Sequence, residues 1–94
     1  MNVTVPTINL NGTHGPDLLD QNREVLTALK NVRSTMQAAF PNGRDFQTMQ
    51  PGKHKQAMTE AVERARLIEN LLMQYEQICI ELNDQINARN GAKQ

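Results

Sequence analysis

An apolar stripe with alternating steps of three and four residues runs through the C-terminal half of the sequence. The stripe consists of Met58, Ala61, Ala65, Ile68, Leu72, Tyr75, Cys79, Leu82 and Ile86. This spacing puts apolar side chains on one face of an α-helix and is typical of helices that pack in coiled coils. The sequence therefore predicts a long helix over residues 53–90, ended by the Asn90-Gly91 pair.

An N-terminal stripe with the same period lies between residues 16 and 40. Its members are Leu18, Val25, Leu29, Val32, Met36 and Ala39, with Asn22 at one step. Pro16 suits the first turn of a helix. Proline has no backbone N–H, and in the first turn that group would have no hydrogen-bond acceptor within the helix. Pro41 ends the helical pattern. We predict a helix over residues 16–40.

The remaining residues form an arm and a hinge in this interpretation. Residues 1–12 carry β-branched residues and a proline, and they predict a short extended arm. Residues 41–52, the hinge, contain two prolines and two glycines and predict a loop between the helices. The chain has the length of a single domain, residues 1–94. The predicted fold class is all-α: an antiparallel two-helix hairpin with a short extended N-terminal arm.

The two predicted helices differ in length, which leaves the C-terminal third of the longer one without a partner. Ile78, Leu82 and Ile86 lie in this overhang, and either the arm or another subunit must cover them. We expect both to contribute, with the larger share from oligomerisation, because a chain of 94 residues with 3% aromatic residues builds a marginal core. The hairpin is therefore expected to assemble into a homo-oligomeric helical bundle.

The chain has no net charge, but its charges are unevenly distributed. Between residues 25 and 55, five basic residues accompany one acidic residue, and between residues 67 and 88 four acidic residues occur without a basic one. One end of the molecule is expected to be positive and the other negative. The zero net charge gives no general attraction to polymeric nucleic acid or to membranes.

Several classes of protein are disfavoured by the sequence. No apolar run reaches the ~20 residues that span a bilayer, and the N-terminus shows no secretion signal. Cys79 is the only cysteine, which fits a reducing cytosol. His14 and His54 lack metal-binding spacing, so neither a metal nor another cofactor is predicted. Ser34 lies in mid-helix and Cys79 on the core stripe, so no catalytic residue and no enzymatic activity are predicted.

The hinge and the start of the second predicted helix concentrate groups that can hold an anion. A helix N-terminus favours acidic residues, yet Lys53, His54 and Lys55 stand there and Arg44 precedes them. A phosphate or carboxylate would balance these charges. The predicted ligand-binding residues are Asn42, Gly43, Arg44, Asp45, Phe46, Gly52, Lys53, His54 and Lys55, joined by Asn11 and Thr13 if the arm folds toward the hinge of a neighbouring subunit.

Cations and backbone donors carry the predicted contact with the ligand. Arg44, Lys53 and Lys55 would neutralise a phosphate. The N–H groups of Gly43 and Gly52 would donate to the same group, since glycine allows a close approach of the backbone.

Two further side chains would read the rest of the ligand. Asp45 would accept a hydrogen bond from a hydroxyl or amino group, and Phe46 would pack on a base. The alternative is a solvated turn in which Arg44 and Asp45 pair with each other or with a neighbouring subunit.

Short motifs in the sequence resemble a group of small phage and prophage proteins. The motifs are INLNGT at residues 8–13, PNGRDF at residues 41–46 and a second helix that opens after a Pro-Gly pair. In that group the hinge reads PNGRDYY with a following Gln-Gly. Here Phe46 and Gln47 stand at the two tyrosine positions, and residues 50–52 read Gln-Pro-Gly. The resemblance implies a phage or prophage source.

The predicted architecture is also similar to small helical phage proteins that form oligomers and sequester cyclic-nucleotide immune signals between subunits. This looser resemblance implies a phage-encoded, non-enzymatic anti-defence protein of the host bacterial cytoplasm, which would sequester a phosphate-bearing cyclic nucleotide at its hinge. The alternative is a protein-interaction module, a phage inhibitor or assembly protein that binds a host or virion protein through the long second helix or its acidic face. A structural coiled-coil piece of a virion is a third interpretation.

Overall fold

Two long helices and one short 3-10 helix make up the regular structure of the chain. A computed structural model describes residues 2–92, and the side chains of residues 2–90. Helix α1 spans Gly15–Ala38, a 3-10 helix spans Gly43–Phe46, and helix α2 spans Lys53–Ala92. No strand occurs in the described part of the chain. Residue 1 of the predicted arm and residues 93 and 94 of the predicted domain lie outside the described residues. The prediction of an all-α fold built on two long helices is confirmed.

Helix α1 begins one residue earlier and ends two residues earlier than predicted. His14 occupies the N-cap position, and its carbonyl accepts a hydrogen bond from the N–H of Leu18 at 2.9 Å. The inclusion of Ala39 and Phe40 in the helix was wrong, because a proline disfavours helical backbone in the residue before it. Pro41 therefore ends α1 upstream of itself.

Helix α2 begins at Lys53 and continues to Ala92, through the Asn90-Gly91 pair that was predicted to end it. That prediction was wrong because glycine permits the left-handed conformation of a helix end but does not impose it. A glycine inside a helix costs only about 1 kcal/mol relative to alanine. Gly52 is the only described residue with a positive φ, at +88°, and it stands immediately before α2.

The core lies at the end of the hairpin remote from the hinge. Leu19, Cys79 and Leu82 form a buried cluster. The partly buried side chains around the cluster are Val5, Ile8, Leu18, Leu26, Ile78 and Ile86. Two of these belong to residues 2–13, a segment without helix or strand that runs beside the C-terminal half of α2. The prediction that Ile78, Leu82 and Ile86 extend beyond the first helix was wrong, because Leu19 of α1 belongs to the same cluster as Leu82. The N-terminal segment adds further cover at this level.

The packing between the helices becomes less tight toward the hinge. Leu72 is buried, but no residue between Leu19 and Leu72 is. The molecule measures 67 × 22 × 22 Å, and its radius of gyration of 19.7 Å exceeds the roughly 12 Å of a compact domain of this length. The chain is therefore an elongated hairpin with one closed end.

No helix among the described residues has the length and apolar character that crossing a membrane requires.

Candidate functional site

The hinge is a folded turn that is stabilised by hydrogen bonds among its own residues. The side chain of Asn42 accepts a hydrogen bond from the N–H of Arg44 at 3.0 Å, and the Asn42 carbonyl accepts one from the N–H of Asp45 at 3.0 Å. These bonds make Asn42 the N-cap of the 3-10 helix. The Asn42 side-chain oxygen is thereby occupied, so this predicted ligand-binding residue positions Arg44 and Asp45.

A bend at Gly52 sets the direction in which α2 leaves the hinge. The N–H of Lys53 donates to the Gln50 carbonyl at 3.3 Å, and the N–H of Gln56 donates to the Gly52 carbonyl at 3.0 Å. The N–H groups of His54 and Lys55 have no acceptor among the described residues. Two backbone donors at the start of α2 therefore remain available to an external acceptor.

The ring of His54 packs against the inner side of the hinge. Its Nε2 lies 3.4 Å from the carbonyl oxygen of Pro41, and its ring centroid lies 5.5 Å from that of Phe46. A Cβ placed on Gly43 would lie 3.5 Å from the same imidazole. His54 thus joins the first turn of α2 to the 3-10 helix, and Phe46 uses part of its ring surface in that contact.

The basic side chains of the hinge and of the first turn of α2 have no carboxylate partner among the described residues. The ion pairs found there are Arg23–Asp20, Arg33–Glu69 and Arg66–Glu63. Arg44 and Lys55 are exposed, and the Nζ of the half-buried Lys53 lies 3.4 Å from Gln56 Oε1. The first turn of α2 holds no acidic residue. The pairing of Arg44 with Asp45 within one chain, which a solvated turn would allow, is not formed.

Two of the predicted site residues lie far from the hinge within one chain. Asn11 and Thr13 belong to the N-terminal segment, whose residue Ile8 is hydrogen bonded to Gln85 near the C-terminal end of α2. The N–H of Asn11 donates to Asn9 Oδ1 at 2.9 Å, which forms a local turn. A site made from these residues and the hinge therefore requires a second chain.

Sequence reasoning missed an apolar groove between the helices, next to the hinge. The groove has a volume of about 220 Å³. Its lining consists of Arg33, Met36, Gln37, Ala39, Phe40, Pro41, Ala61, Arg64, Ala65, Ile68 and Glu69. At this level an ion pair connects α1 to α2, with Arg33 Nη1 and Glu69 Oε1 3.0 Å apart. The available signal was the presence of alanines on both stripes, at Ala39, Ala61 and Ala65. Small side chains at facing positions leave space between two helices.

The last three acidic side chains of α2 lie toward the other end of the hairpin. Glu76 and Asp84 are exposed and Glu81 is half-buried, and none of the three belongs to an ion pair in the described part of the chain. Cys79, which lies between Glu76 and Glu81 in the sequence, belongs to the buried core. Burial raises the pKa of its thiol, and the positive charge of Arg23 lowers it to a smaller extent.

Comparisons with protein-family models, curated proteins and solved structures gave no match to this chain. No group of three or more His, Cys, Asp or Glu side chains suited to a metal ion occurs within the described residues.

Proposed function

We propose that this chain is a non-enzymatic binding protein whose basic hinge captures a phosphate-bearing ligand. The observation that carries the proposal is that Arg44, Lys53 and Lys55 have no carboxylate partner among the described residues. Basic residues at a helix N-terminus are unfavourable by themselves, and a bound anion reverses the sign of that interaction. The free N–H groups of His54 and Lys55 add directed donors for the same anion.

A nucleotide matches the remaining groups of the hinge. The exposed carboxylate of Asp45 offers an acceptor for a hydroxyl or amino group, and the partly exposed ring of Phe46 offers a surface for a base. With the resemblance to phage proteins, these groups support a phosphate-bearing cyclic nucleotide as the ligand. The chain would then be a phage-encoded anti-defence protein that sequesters an immune signal in the host bacterial cytoplasm.

The ligand needs a second surface in this proposal. Arg44 and Asp45 are exposed, and the groove beside the hinge is lined mainly by apolar side chains that suit a phosphate poorly. A homo-oligomer supplies the missing surface by bringing another chain to the hinge. Asn11 and Thr13 of that neighbouring chain would be the polar residues that reach the ligand.

Native mass spectrometry of protein purified gently from a bacterial host tests the proposal, because it weighs the assembly and any retained small molecule together. We expect an added mass of a few hundred daltons per site, which is absent from the Arg44→Ala variant. Calorimetric titration with cyclic mono- and dinucleotides should show affinity at least about tenfold lower for Arg44→Ala, which loses a charge-assisted hydrogen bond.

Lys30→Ala is the matched control for this experiment. It removes a positive charge from an exposed position in α1, outside both the hinge and the N-terminal segment, and it should bind like the original chain. Equal affinity of Arg44→Ala and Lys30→Ala, at equal helical content by circular dichroism, would contradict a ligand site at the hinge.

A second candidate function is a protein-interaction module that binds a host or virion protein through α2. The observation that favours it is the set of acidic side chains without ion-pair partners, Glu76, Glu81 and Asp84, on a helix of 40 residues. A basic partner surface would complement these charges. The double variant Glu76→Lys, Glu81→Lys should lose such a partner in crosslinking inside host cells, whereas Arg44→Ala should keep it.

A further inference from the structure

The groove is an unfilled part of the helix interface. The alanines Ala39, Ala61 and Ala65 line it where larger side chains would close the gap. Apolar lining exposed to water is unfavourable, at about 25 cal/mol for each Å². The core cluster at Leu82 is complete by contrast, with that side chain fully buried. A partner that covers the hinge-proximal end of the hairpin would remove this asymmetry.

The surface that the chain exposes is large enough for such a partner. Its accessible area is 7191 Å², about 1,700 Å² more than the roughly 5,500 Å² expected for a compact monomer of 10.6 kDa. A standard protein interface buries about 800 Å² on each chain. The excess therefore accommodates a full interface on every chain.

The charges divide along the axis of the hairpin. Two observations give the register of the helices: the Arg33–Glu69 pair, and the position of Gly15, where an added Cβ would lie 3.5 Å from the Ile86 side chain. In this register the hinge portion, residues 28–74, carries seven Lys or Arg and four Asp or Glu, a net charge of +3. The terminal portion, residues 2–27 and 75–90, carries two Arg and six Asp or Glu, a net charge of −4.

We propose that the groove is an interface for a second copy of this chain, packed antiparallel along the long axis. Each hinge portion then faces the terminal portion of the other copy, so opposite charges meet at both ends of the dimer. A parallel arrangement would place the two positive portions together and the two negative portions together. The two-fold relation also makes the contact closed, since both copies use the same surface.

The antiparallel arrangement has a consequence for the hinge, which rests on the function proposed above. It brings the N-terminal segment of one copy toward the hinge of the other. Asn11 and Thr13 would thereby approach Arg44 of the second chain. The dimer contact itself depends only on the groove and the charge distribution.

Sedimentation velocity at protein concentrations up to about 0.5 mM tests the interface. The original chain should form a dimer, and Ala65→Glu should weaken it at least about tenfold, because the dimer would then bury a carboxylate in a mainly apolar groove. Ala88→Glu is the matched control: it makes the same change at an exposed position of α2 outside the groove. Should Ala65→Glu lose helical content, Ala39→Glu makes the same test from the opposite wall.

Double electron–electron resonance, which measures the distance between two nitroxide labels, tests the relative orientation of the two copies. A nitroxide label on Thr48→Cys marks the exposed hinge, while the native thiol of Cys79 is buried and stays unlabelled. In an antiparallel dimer the labels lie at opposite ends, more than about 40 Å apart for helices that rise about 1.5 Å per residue. In a parallel dimer they lie within about 25 Å, near the 22 Å width of one hairpin.

The outcomes separate this proposal from the function. A monomer at every concentration, a dimer unchanged by Ala65→Glu, or a short distance between the labels would each overturn the antiparallel dimer. A monomer that still binds a cyclic dinucleotide at Arg44 would leave the hinge as the ligand site and remove only the second surface that a neighbouring chain would supply. A dimer of the expected orientation that binds no such ligand would leave the interface and remove the function.

Discussion

Gln85 holds the backbone of the N-terminal segment on both sides of Thr7. Its Oε1 accepts a hydrogen bond from the N–H of Ile8 at 2.9 Å, and its Nε2 donates to the carbonyl of Pro6 at 3.0 Å. One side-chain amide therefore satisfies a backbone donor and a backbone acceptor of a segment that has no secondary structure. This clamp holds the segment in which Ile8 packs against the cluster of Leu19, Cys79 and Leu82, so it completes the core at this end.

Replacing Gln85 by Leu should release the N-terminal segment from α2. Two hydrogen bonds are lost, each worth about 0.5–1.5 kcal/mol, so the free energy of unfolding should fall by about 1–3 kcal/mol. Hydrogen exchange at the amide of Ile8 should accelerate at the same time. Gln85→Glu is the control, because it keeps an acceptor for Ile8 while losing the donor for Pro6. Unchanged exchange at Ile8 in Gln85→Leu would contradict the clamp.

The second helix was predictable because its stripe records the buried face: Leu72, Cys79 and Leu82 all belong to the stripe, and all three are buried. The first stripe gave the helix but located its buried face less well, since the buried residue is Leu19 and the stripe member Val25 is exposed. The ends were less predictable. Pro41 acts on the residues before it, and Gly91 accepts either a helical or a terminating conformation, so neither boundary follows from residue type alone.

The candidate sites were predictable to different degrees. The hinge stands out in the sequence because basic residues such as Lys53 follow it at the N-terminus of a helix. The helix dipole disfavours positive charges at that end. The contact of His54 with Phe46 was not visible, since it depends on the path of the turn. The groove was hidden because Ala61 and Ala65 fit the core stripe, and only the facing helix reveals the gap between them.

Truncating Leu82 tests where the stability of the hairpin is concentrated. Leu82 is fully buried, so Leu82→Ala should lower the free energy of unfolding by about 2–5 kcal/mol through lost burial and a residual cavity. Ile80→Ala is the control, since that side chain is 55% exposed two residues away, and it should change stability by about 0.5 kcal/mol or less. Chemical denaturation followed by circular dichroism measures both. Comparable losses for the two variants would argue against a core at this end.

The thiol of Cys79 should make stability depend on alkaline pH. Burial raises its pKa above the ordinary 9.0, so the folded chain keeps a neutral thiol where the unfolded chain ionises. The stabilisation is complete below the ordinary pKa and is lost as the pH rises through the raised one. The free energy of unfolding, measured at pH 7 and about pH 10, should fall more for the original chain than for Cys79→Ala. Equal slopes would mean that other groups cause the alkaline loss.

Substituting Gly52 tests how firmly the start of α2 is fixed. With φ at +88°, a side chain at this position is strained even though no atom lies within 4 Å of an added Cβ. Gly52→Ala should therefore cost about 1–2 kcal/mol in the free energy of unfolding. Gly43→Ala is the matched control in the same hinge, because its added Cβ would make only an ordinary contact with His54 at 3.5 Å, and its cost should stay within about 0.5 kcal/mol. Equal effects of the two substitutions in thermal and chemical unfolding would contradict a left-handed backbone at Gly52. A selective loss at Gly52 would show that its left-handed backbone fixes the start of α2, where the free N–H groups of His54 and Lys55 lie.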